Sequence, residues 1–198
     1  MAKVGISKLH YAIIDSSHED SPTSNPTYGT IKAPNCGIVS ADVSVDSNKV
    51  SLYADNMVWE SETSMGDINL SLDLADLPLE VQADLLGHTY SSTDHTLIKK
   101  SSDTAPYVAV GFEFLLAGSK KLAVWLYKGK FAEPNMNGQT KGENTEYQTN
   151  EISGIFAALK GGGDNTGRWL YAQEFGSSAS TDSFYTSVPL AAYTPPNN

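Results

Sequence analysis

Strict alternation of apolar and polar residues runs from residue 39 to residue 46 and returns from residue 67 to residue 74. Successive side chains of an extended chain point to opposite faces, so each run gathers its apolar residues on one side. The apolar positions are Val39, Ala41, Val43, Val45, Ile68, Leu70, Leu72 and Leu74. The polar positions between them are Ser40, Asp42, Ser44, Asp46, Asp67, Asn69, Ser71 and Asp73. Both runs predict strands with one buried face and one solvated face.

Further strands are predicted where β-branched, aromatic and leucine residues cluster between turn residues. These stretches are 4–14, 57–62, 107–116, 121–131, the extended segment 145–160, and 168–175. The stretches 107–116 and 121–131 are the most apolar, so we expect them at the centre of the sheet. The fold class predicted from these patterns is mainly β.

Turn residues divide the predicted strands. Ser47-Asn48 is predicted to be a tight turn, after which residues 50–54 form the returning strand of a hairpin. Asp55-Asn56 is predicted to be a second turn. Residues 117–119 and 161–165 are rich in glycine and small polar residues, and they are predicted to join strands as well.

Helical spacing of apolar residues occurs in one segment. The apolar positions are Leu77, Val81, Leu85 and Leu86. Asp76 is available as an N-cap and Gly87 as a C-terminal stop, and Pro78 fits the first turn because its missing amide has no partner there. The spacing predicts one short α-helix over residues 77–86.

Two long polar stretches and the C-terminus predict irregular structure. Residues 15–35 and 133–143 are predicted to be long loops. The first is expected to order on contact with a neighbouring molecule, and the alternative is a mobile insertion. The chain beyond Gly176 is rich in serine and threonine and ends in TPPNN. We therefore predict one β domain over residues 1–175 and a mobile tail over residues 176–198.

Composition and charge exclude several classes of function. The 198 residues carry a formal net charge of −10, which disfavours binding to the phosphates of nucleic acid. The single cysteine, Cys36, forms no internal disulfide, as is typical of a protein that folds in a reducing cytoplasm. Neither a signal peptide nor a membrane-spanning run is recognisable, so no membrane association is expected.

No motif of known chemistry stands out. The four histidines His10, His18, His88 and His95 have no metal-ligand spacing, either with one another or with the cysteine. No GxSxG elbow surrounds a serine, and the glycines at 161–163 are not followed by the lysine of a phosphate-binding loop. The sequence predicts neither an enzyme, nor a cofactor, nor a metal site.

Several phrases nevertheless occur together in one order. They are KVGI at 3–6, HYA at 10–12, LYADN at 52–56, LDLADLP at 72–78, DLLG at 84–87, PYVAVGFE at 106–113, LYKGKF at 126–131 and TKGENTEYQT at 140–149. With these phrases, residues 3–175 resemble the major tail proteins of phages with long, non-contractile tails. None of the phrases is a catalytic motif, so the resemblance depends on their order.

The resemblance implies a barrel-like β-sandwich flanked by a helix. It further implies that subunits close into hexameric rings, that the inner strands form a continuous barrel, and that stacked rings form a tube through which DNA passes without sequence-specific binding. Partners would be further copies of the chain and the tape measure, initiator and terminator proteins of the tail. The protein would be made in the host cytoplasm and reside in the virion.

Two groups of residues become candidates for this function. Asp42, Asp46, Asp67 and Asp73 are expected to face the lumen, where negative charge would keep the DNA backbone from adhering to the wall. Alternation alone leaves open that the four aspartates only solubilise an outer face. The long loops are expected to serve contacts between rings, and the candidates are Asp15, Pro22, Pro26, Asn35, Glu133 and Glu143.

Two other functions fit a small acidic β protein. A carbohydrate-binding or adhesin β-sandwich could use Trp59, Trp125 and Trp169 as platforms for sugar rings, although core packing is the commoner task of such residues. A tube protein of a secretion system would share the fold of a tail tube protein. Self-assembly distinguishes a tube protein from a glycan-binding module, which is expected to stay monomeric.

Overall fold

The computed structural model describes residues 2–16, 19, 24–136, 138, 140, 148–161 and 163–190. Its strands are β1 (Lys3–Ile13), β2 (Ile38–Ala54), β3 (Met57–Leu74), β4 (Thr89–Ser91), β5 (Thr96–Ile98), β6 (Val108–Leu116), β7 (Lys121–Phe131), β8 (Asn150–Phe156) and β9 (Leu170–Phe175). The α-helix α1 covers Leu79–Leu86, and short 3-10 helices cover Gly163–Asn165 and Asp182–Tyr185. The prediction of a mainly β fold with one short α-helix is confirmed.

One antiparallel sheet contains seven of the strands, in the order β1-β6-β7-β8-β3-β2, and β9 also pairs with β7. β7 belongs to two layers, because its first part pairs with β9 and its last three residues pair with β8. The sheet therefore divides at β7 into a β1-β6-β7-β9 layer and a β7-β8-β3-β2 layer. This arrangement is a β-sandwich, and the predicted strands 107–116 and 121–131 lie near the middle of the strand order.

The apolar faces of the two layers form the main core. Leu70, Leu72 and Leu74 of β3 are buried, as the alternation predicts, and so are Phe112 of β6 and Ile152 of β8. The buried side of α1 packs against the same core and consists of Val81, Leu85 and Leu86. The large buried apolar area is the main source of stability in such a domain.

The segment after β9 packs against the other face of the β1-β6-β7-β9 layer. Phe184, Tyr185 and Val188 are buried there with Trp125 and Tyr127 of β7. The indole Nε1 of Trp125 donates to the carbonyl of Phe184 at 3.2 Å, and the Tyr127 hydroxyl donates to the carbonyl of Pro189 at 2.7 Å. The prediction of a domain that ends at residue 175 and a mobile tail from residue 176 differs from this packing, which continues to residue 190. Residues 191–198 lie outside the described residues.

A polar network also anchors this segment. Lys8 Nζ donates to Thr181 Oγ1 at 2.9 Å and to Asp182 Oδ1 at 2.6 Å. Thr181 donates in turn to the buried carboxylate of Glu113 on β6. Buried polar groups are stable only when they are hydrogen bonded, so these contacts fix the segment as part of the domain. No hydrophobic periodicity in residues 176–190 predicts this packing.

The predicted turn at Ser47-Asn48 is wrong. β2 continues through both residues, and Asn48 is paired with Ser64 of β3. The turn of the β2-β3 hairpin is formed by Asp55 and Asn56. Their φ angles of 51° and 62° are the left-handed pair that a two-residue turn requires. Asp and Asn tolerate this conformation better than most residues, and serine has no such advantage. β2 and β3 are therefore much longer than predicted.

The helix begins two residues later than predicted. Pro78 occupies its N-cap position, no side chain caps the first turn, and Asp76 therefore does not act as the N-cap. Gly87 ends the helix in the left-handed conformation with φ of 77°, as expected. After the helix, β4 and β5 pair as a short antiparallel hairpin.

Candidate functional site

The outer face of the β2-β3-β8 layer is polar. Rows of directly paired residues cross it: Ser40 with Asp73 and Glu151, Asp42 with Ser71 and Ser153, and Ser44 with Asn69 and Ile155. The residues between them in sequence point into the core. We call the residues of these rows, together with Asp46 and Asp67, the polar face.

The four candidate aspartates share this polar face. Asp42 lies between the partly buried Ala41 and Val43, and Asp46 accepts a hydrogen bond of 3.4 Å from Asn69. Asp67 and Asp73 alternate on β3 with buried leucine and isoleucine residues. The structure therefore brings all four to one solvent-exposed surface, as the alternation predicts. The prediction that Val39 and Val45 are buried is wrong, since they are exposed by 51% and 37%. Glu151 of β8 adds a fifth carboxylate and accepts a hydrogen bond of 2.8 Å from Ser71. Alternation in the sequence is limited to Glu151-Ile152-Ser153 and is broken by Gly154 and Ile155, so the pattern did not predict a place for Glu151 on this face.

Beyond the polar face, β2 and β3 project as a two-stranded arm, which we define as residues 47–65. Seven large apolar side chains of the arm are exposed: Val50, Leu52, Tyr53, Met57, Val58, Trp59 and Met65. The exposed fractions reach 70% for Tyr53, with 69% for Val50 and 66% for Trp59. Isolated exposed apolar residues are ordinary, but a group of this size is typical of an interaction surface.

The outer edge of β2 is open. Apart from pairing with β3, no backbone hydrogen bond involves residues 39–54 within the described chain. β8 (Asn150–Phe156) has a shorter open stretch, because Gly154, Ile155 and Phe156 pair with β7 and Ser153 O accepts from Ala132 N at 2.8 Å, which leaves residues 150–152 unpaired on this side within the described chain. An open edge presents unpaired backbone N–H and C=O groups that can pair with a strand of another molecule. The layer that carries the polar face thus has open backbone at both sides.

The loop candidates have varied surroundings. Part of the first predicted loop lies along β1, where Lys32 pairs with Tyr11 and Tyr28 pairs with Ile14. Asp15 and Asn35 are exposed, but Pro26 is buried in its own subunit, which does not suit a contact between rings. Pro22 and Glu143 lie outside the described residues.

Glu133, the remaining loop candidate, belongs to a cluster of charged groups at the end of α1. His88 Nδ1 lies 2.8 Å from Asp103 Oδ2, and His88 Nε2 hydrogen bonds with Glu133 Oε1. Lys99 Nζ contacts Glu133 Oε2 at 2.8 Å. The cluster ties the residues after β5 and after β7 to the end of the helix.

The cluster shifts the pKa values of its two carboxyl groups. The hydrogen bond with His88 is the main reason why the pKa of Asp103 is lower than its ordinary value. Burial acts to raise the pKa of Glu133, but the hydrogen bonds from Lys99 and His88 outweigh burial and lower it. Both carboxylates are therefore stabilised in their charged form.

We predict that Asp103→Asn destabilises the fold at neutral pH and that this effect disappears in acid. The pKa of Asp103 in the folded state is lowered from 3.8. Its carboxylate therefore stabilises the fold above that value, and this contribution is lost as pH falls through the lower folded-state pKa. Urea unfolding of both proteins from about pH 5 down to about pH 2 measures the difference. A difference in the free energy of unfolding that stays constant over this range would contradict the assignment.

The aromatic and thiol groups have structural surroundings. Trp125 is fully buried and Trp169 is partly buried against the core, so only Trp59, on the arm, is exposed as a sugar platform would have to be. Cys36 is buried, and burial raises the pKa of its thiol to about 11, which disfavours the reactive thiolate. Among the described residues, no group of three or more His, Cys, Asp or Glu side chains could hold a metal ion.

A β-sandwich with an open strand edge, a polar outer face and a projecting apolar arm has surfaces suited to association with other protein chains. A family model for phage tail tube proteins matches residues 1–181. The chain belongs to this phage tail tube protein family, which confirms the resemblance of residues 3–175. A search of curated proteins finds no match.

Family membership has two direct consequences. The chain is a structural component of a phage tail and hence of a virion. A family of structural tail proteins also favours a role without catalysis. In the part of the chain that the structure describes, no helix is long and apolar enough to cross a membrane.

Proposed function

We propose that this protein is the major tail tube subunit, which assembles into hexameric rings that stack into a DNA-conducting channel. The observation that carries the proposal is the arm, whose exposed apolar side chains lack cover in the isolated subunit. Leaving such a surface in water is unfavourable, and burying it against further copies of the chain removes the penalty. Membership of the phage tail tube protein family supports self-association, in which the partner is another copy of the same chain.

Ring closure requires one surface of a subunit to meet a different surface of the next. The open edge of β2 and the free part of β8 are two such surfaces. Pairing β2 of one subunit with β8 of its neighbour would continue the β2-β3-β8 layer around the ring. The polar face would then form one continuous wall, and the expected continuous barrel follows from this geometry.

The polar face is the surface we assign to the lumen. Its carboxylates, among them Asp42, Asp46, Asp67, Asp73 and Glu151, repel the phosphates of passing DNA, so that DNA slides without adhering. Stacking of rings is assigned to the arm. The tape measure, initiator and terminator proteins of the tail are the other partners expected for such a subunit.

Charge reversal of the lumen tests the assignment of the polar face. Replacing Asp42, Asp46, Asp67 and Asp73 with lysine is expected to leave tubes intact and to reduce DNA delivery by about tenfold or more, because phosphates would bind the wall. Infectious particles per DNA-filled particle provide the measurement. The matched asparagine variants, which remove charge without reversing it, are expected to be less affected. Unimpaired delivery by the lysine variant would contradict a lumenal position.

Native mass spectrometry tests the ring. The purified protein is expected to show a complex of six subunits that grows at the expense of the monomer as concentration rises. Replacing Val43, at the middle of β2, with proline is expected to weaken ring closure, because proline breaks strand pairing. Val43 also pairs with Leu70 of its own subunit, so circular dichroism checks that the variant is folded. Val39→Pro serves as a comparison near the start of the strand. A monomer that persists at every concentration, with no larger species, would contradict the proposed ring.

A further inference from the structure

The end of the subunit that carries α1 and β5 is called the β5 end. The arm and the β5 end lie at opposite ends of β3. The arm ends at the turn before Met57, whereas the other end of β3 is Leu74, which pairs with Asn150. Asp73 and Asn150 line a cleft together with Glu133, and Glu133 contacts Lys99 directly after β5. At about 3.3 Å per residue, the length of β3 separates the two ends by on the order of 50 Å. A subunit stacked head to tail on another therefore brings the arm to the β5 end of its neighbour.

The β5 end carries an exposed apolar residue beside a cation. Ile98 is 50% exposed. Lys99 is already held by Glu133, but the ammonium of the exposed Lys100 makes no ion pair or hydrogen bond to a side chain within the described chain. The backbone N–H of Lys100 donates to Asp103 Oδ2 at 2.9 Å, and its ammonium acts on that carboxylate through a longer-range charge interaction. Lys100 is therefore free to meet a carboxylate of another molecule.

One face of the arm has the complementary character. Val50 is paired with Glu62, and Leu52 is paired with Glu60. Directly paired residues of an antiparallel ribbon share a face, so two exposed apolar side chains lie beside two carboxylates. The single lysine of the arm, Lys49, is paired with Thr63 on the other face. A two-stranded ribbon twists strongly, so this face need not continue the orientation of the polar face.

We propose that the arm of one subunit docks on the β5 end of a subunit in the next ring, with Val50 and Leu52 against Ile98 and with Glu60 and Glu62 around Lys100. This inference rests on the proposed stacking function and names the acceptor surface for the arm. The contact combines burial of apolar side chains with a charge pair, as in the centre and rim of ordinary protein interfaces. It is heterologous and directional, so repetition produces a tube rather than a closed dimer of rings.

A charge swap between the two surfaces tests the contact. The variants are Lys100→Glu, the double variant Glu60→Lys/Glu62→Lys, and the combination of all three substitutions. Stacked rings form rods above a threshold concentration, and each of the first two variants is expected to raise this threshold by about tenfold or more. The combination is expected to restore the threshold to within about threefold of the wild type. Pelleting of rods at increasing concentration gives the threshold, and thermal unfolding shows that each variant is folded. Lys120→Glu, at the exposed β6-β7 turn, is the control with the same change of charge; it also breaks the ion pair of Lys120 with Glu174, and thermal unfolding measures the cost of that loss.

The outcomes separate this inference from the proposed function. Restoration by the combined charge swap would support the contact between the arm and the β5 end. Rods of the wild type together with a combined variant at least as defective as either parent would overturn the acceptor surface and leave the tube intact. Absence of rods and rings in the wild type would contradict the proposed function itself.

Discussion

Simultaneous replacement of Val50, Leu52 and Trp59 with serine is expected to abolish rod formation while the subunit stays folded. These side chains are exposed by 69%, 58% and 66%, so they contribute little to the core of the free subunit. Burial of each in an interface contributes roughly 1.5–3 kcal/mol, and loss of all three is expected to raise the threshold for rods by at least about 100-fold. Electron microscopy and pelleting across concentration measure this threshold.

The control for the arm is a change of exposed apolar residues elsewhere. Val4 and Leu115 are exposed by 73% and 38% near one end of the β1-β6 pair, and replacing both with serine removes exposed apolar area away from the arm, in a smaller amount than the arm variant removes. We expect this variant to form rods at nearly the concentration of the wild type. Normal rods from the arm variant, or an equal defect in the control, would show that the arm has no special part in assembly.

Trp125→Ala is expected to destabilise the fold by about 3–5 kcal/mol, the range typical of a large buried aromatic residue. Trp125 is fully buried in the middle of β7, and the backbone of Gly111 approaches its ring so closely that a side chain there would clash. Its indole also donates to the carbonyl of Phe184. The substitution therefore leaves a cavity and releases an anchor of the segment around Phe184. Urea unfolding followed by circular dichroism measures the change.

Trp59→Ala provides the matched comparison, because the same substitution is made on the exposed arm. It is expected to change the free energy of unfolding by less than about 0.5 kcal/mol, as is usual for surface positions, while it weakens assembly. The two tryptophans thus separate stability from association. Similar losses of stability in both variants would contradict the exposed placement of the arm.

Much of the fold follows from local patterns in the sequence. Alternation along residues 39–46 and 67–74 predicted both the strands and the shared face of the four aspartates, because a period of two has only one structural interpretation at this length. Gly87 predicted the end of the helix, since few other residues adopt its left-handed conformation at no cost.

Other features depend on contacts between distant residues. Ser47-Asn48 has the composition of a turn, but pairing of Asn48 with Ser64 keeps β2 extended, and local composition does not contain this pairing. The burial of Phe184 and Tyr185 depends on the opposite face of β7, far away in sequence. The arm was missed for the same reason, because its residues have strand-like character and only the tertiary structure shows that nothing covers them.

Negative-stain electron microscopy of the purified protein over a wide range of concentration tests the central claim most directly. The account predicts rings at low concentration and hollow rods of uniform diameter at high concentration, with rods absent in the arm variant. Featureless particles of monomer size at every concentration would contradict self-assembly into a tube and would direct attention to the glycan-binding alternative, for which Trp59 is the exposed aromatic platform.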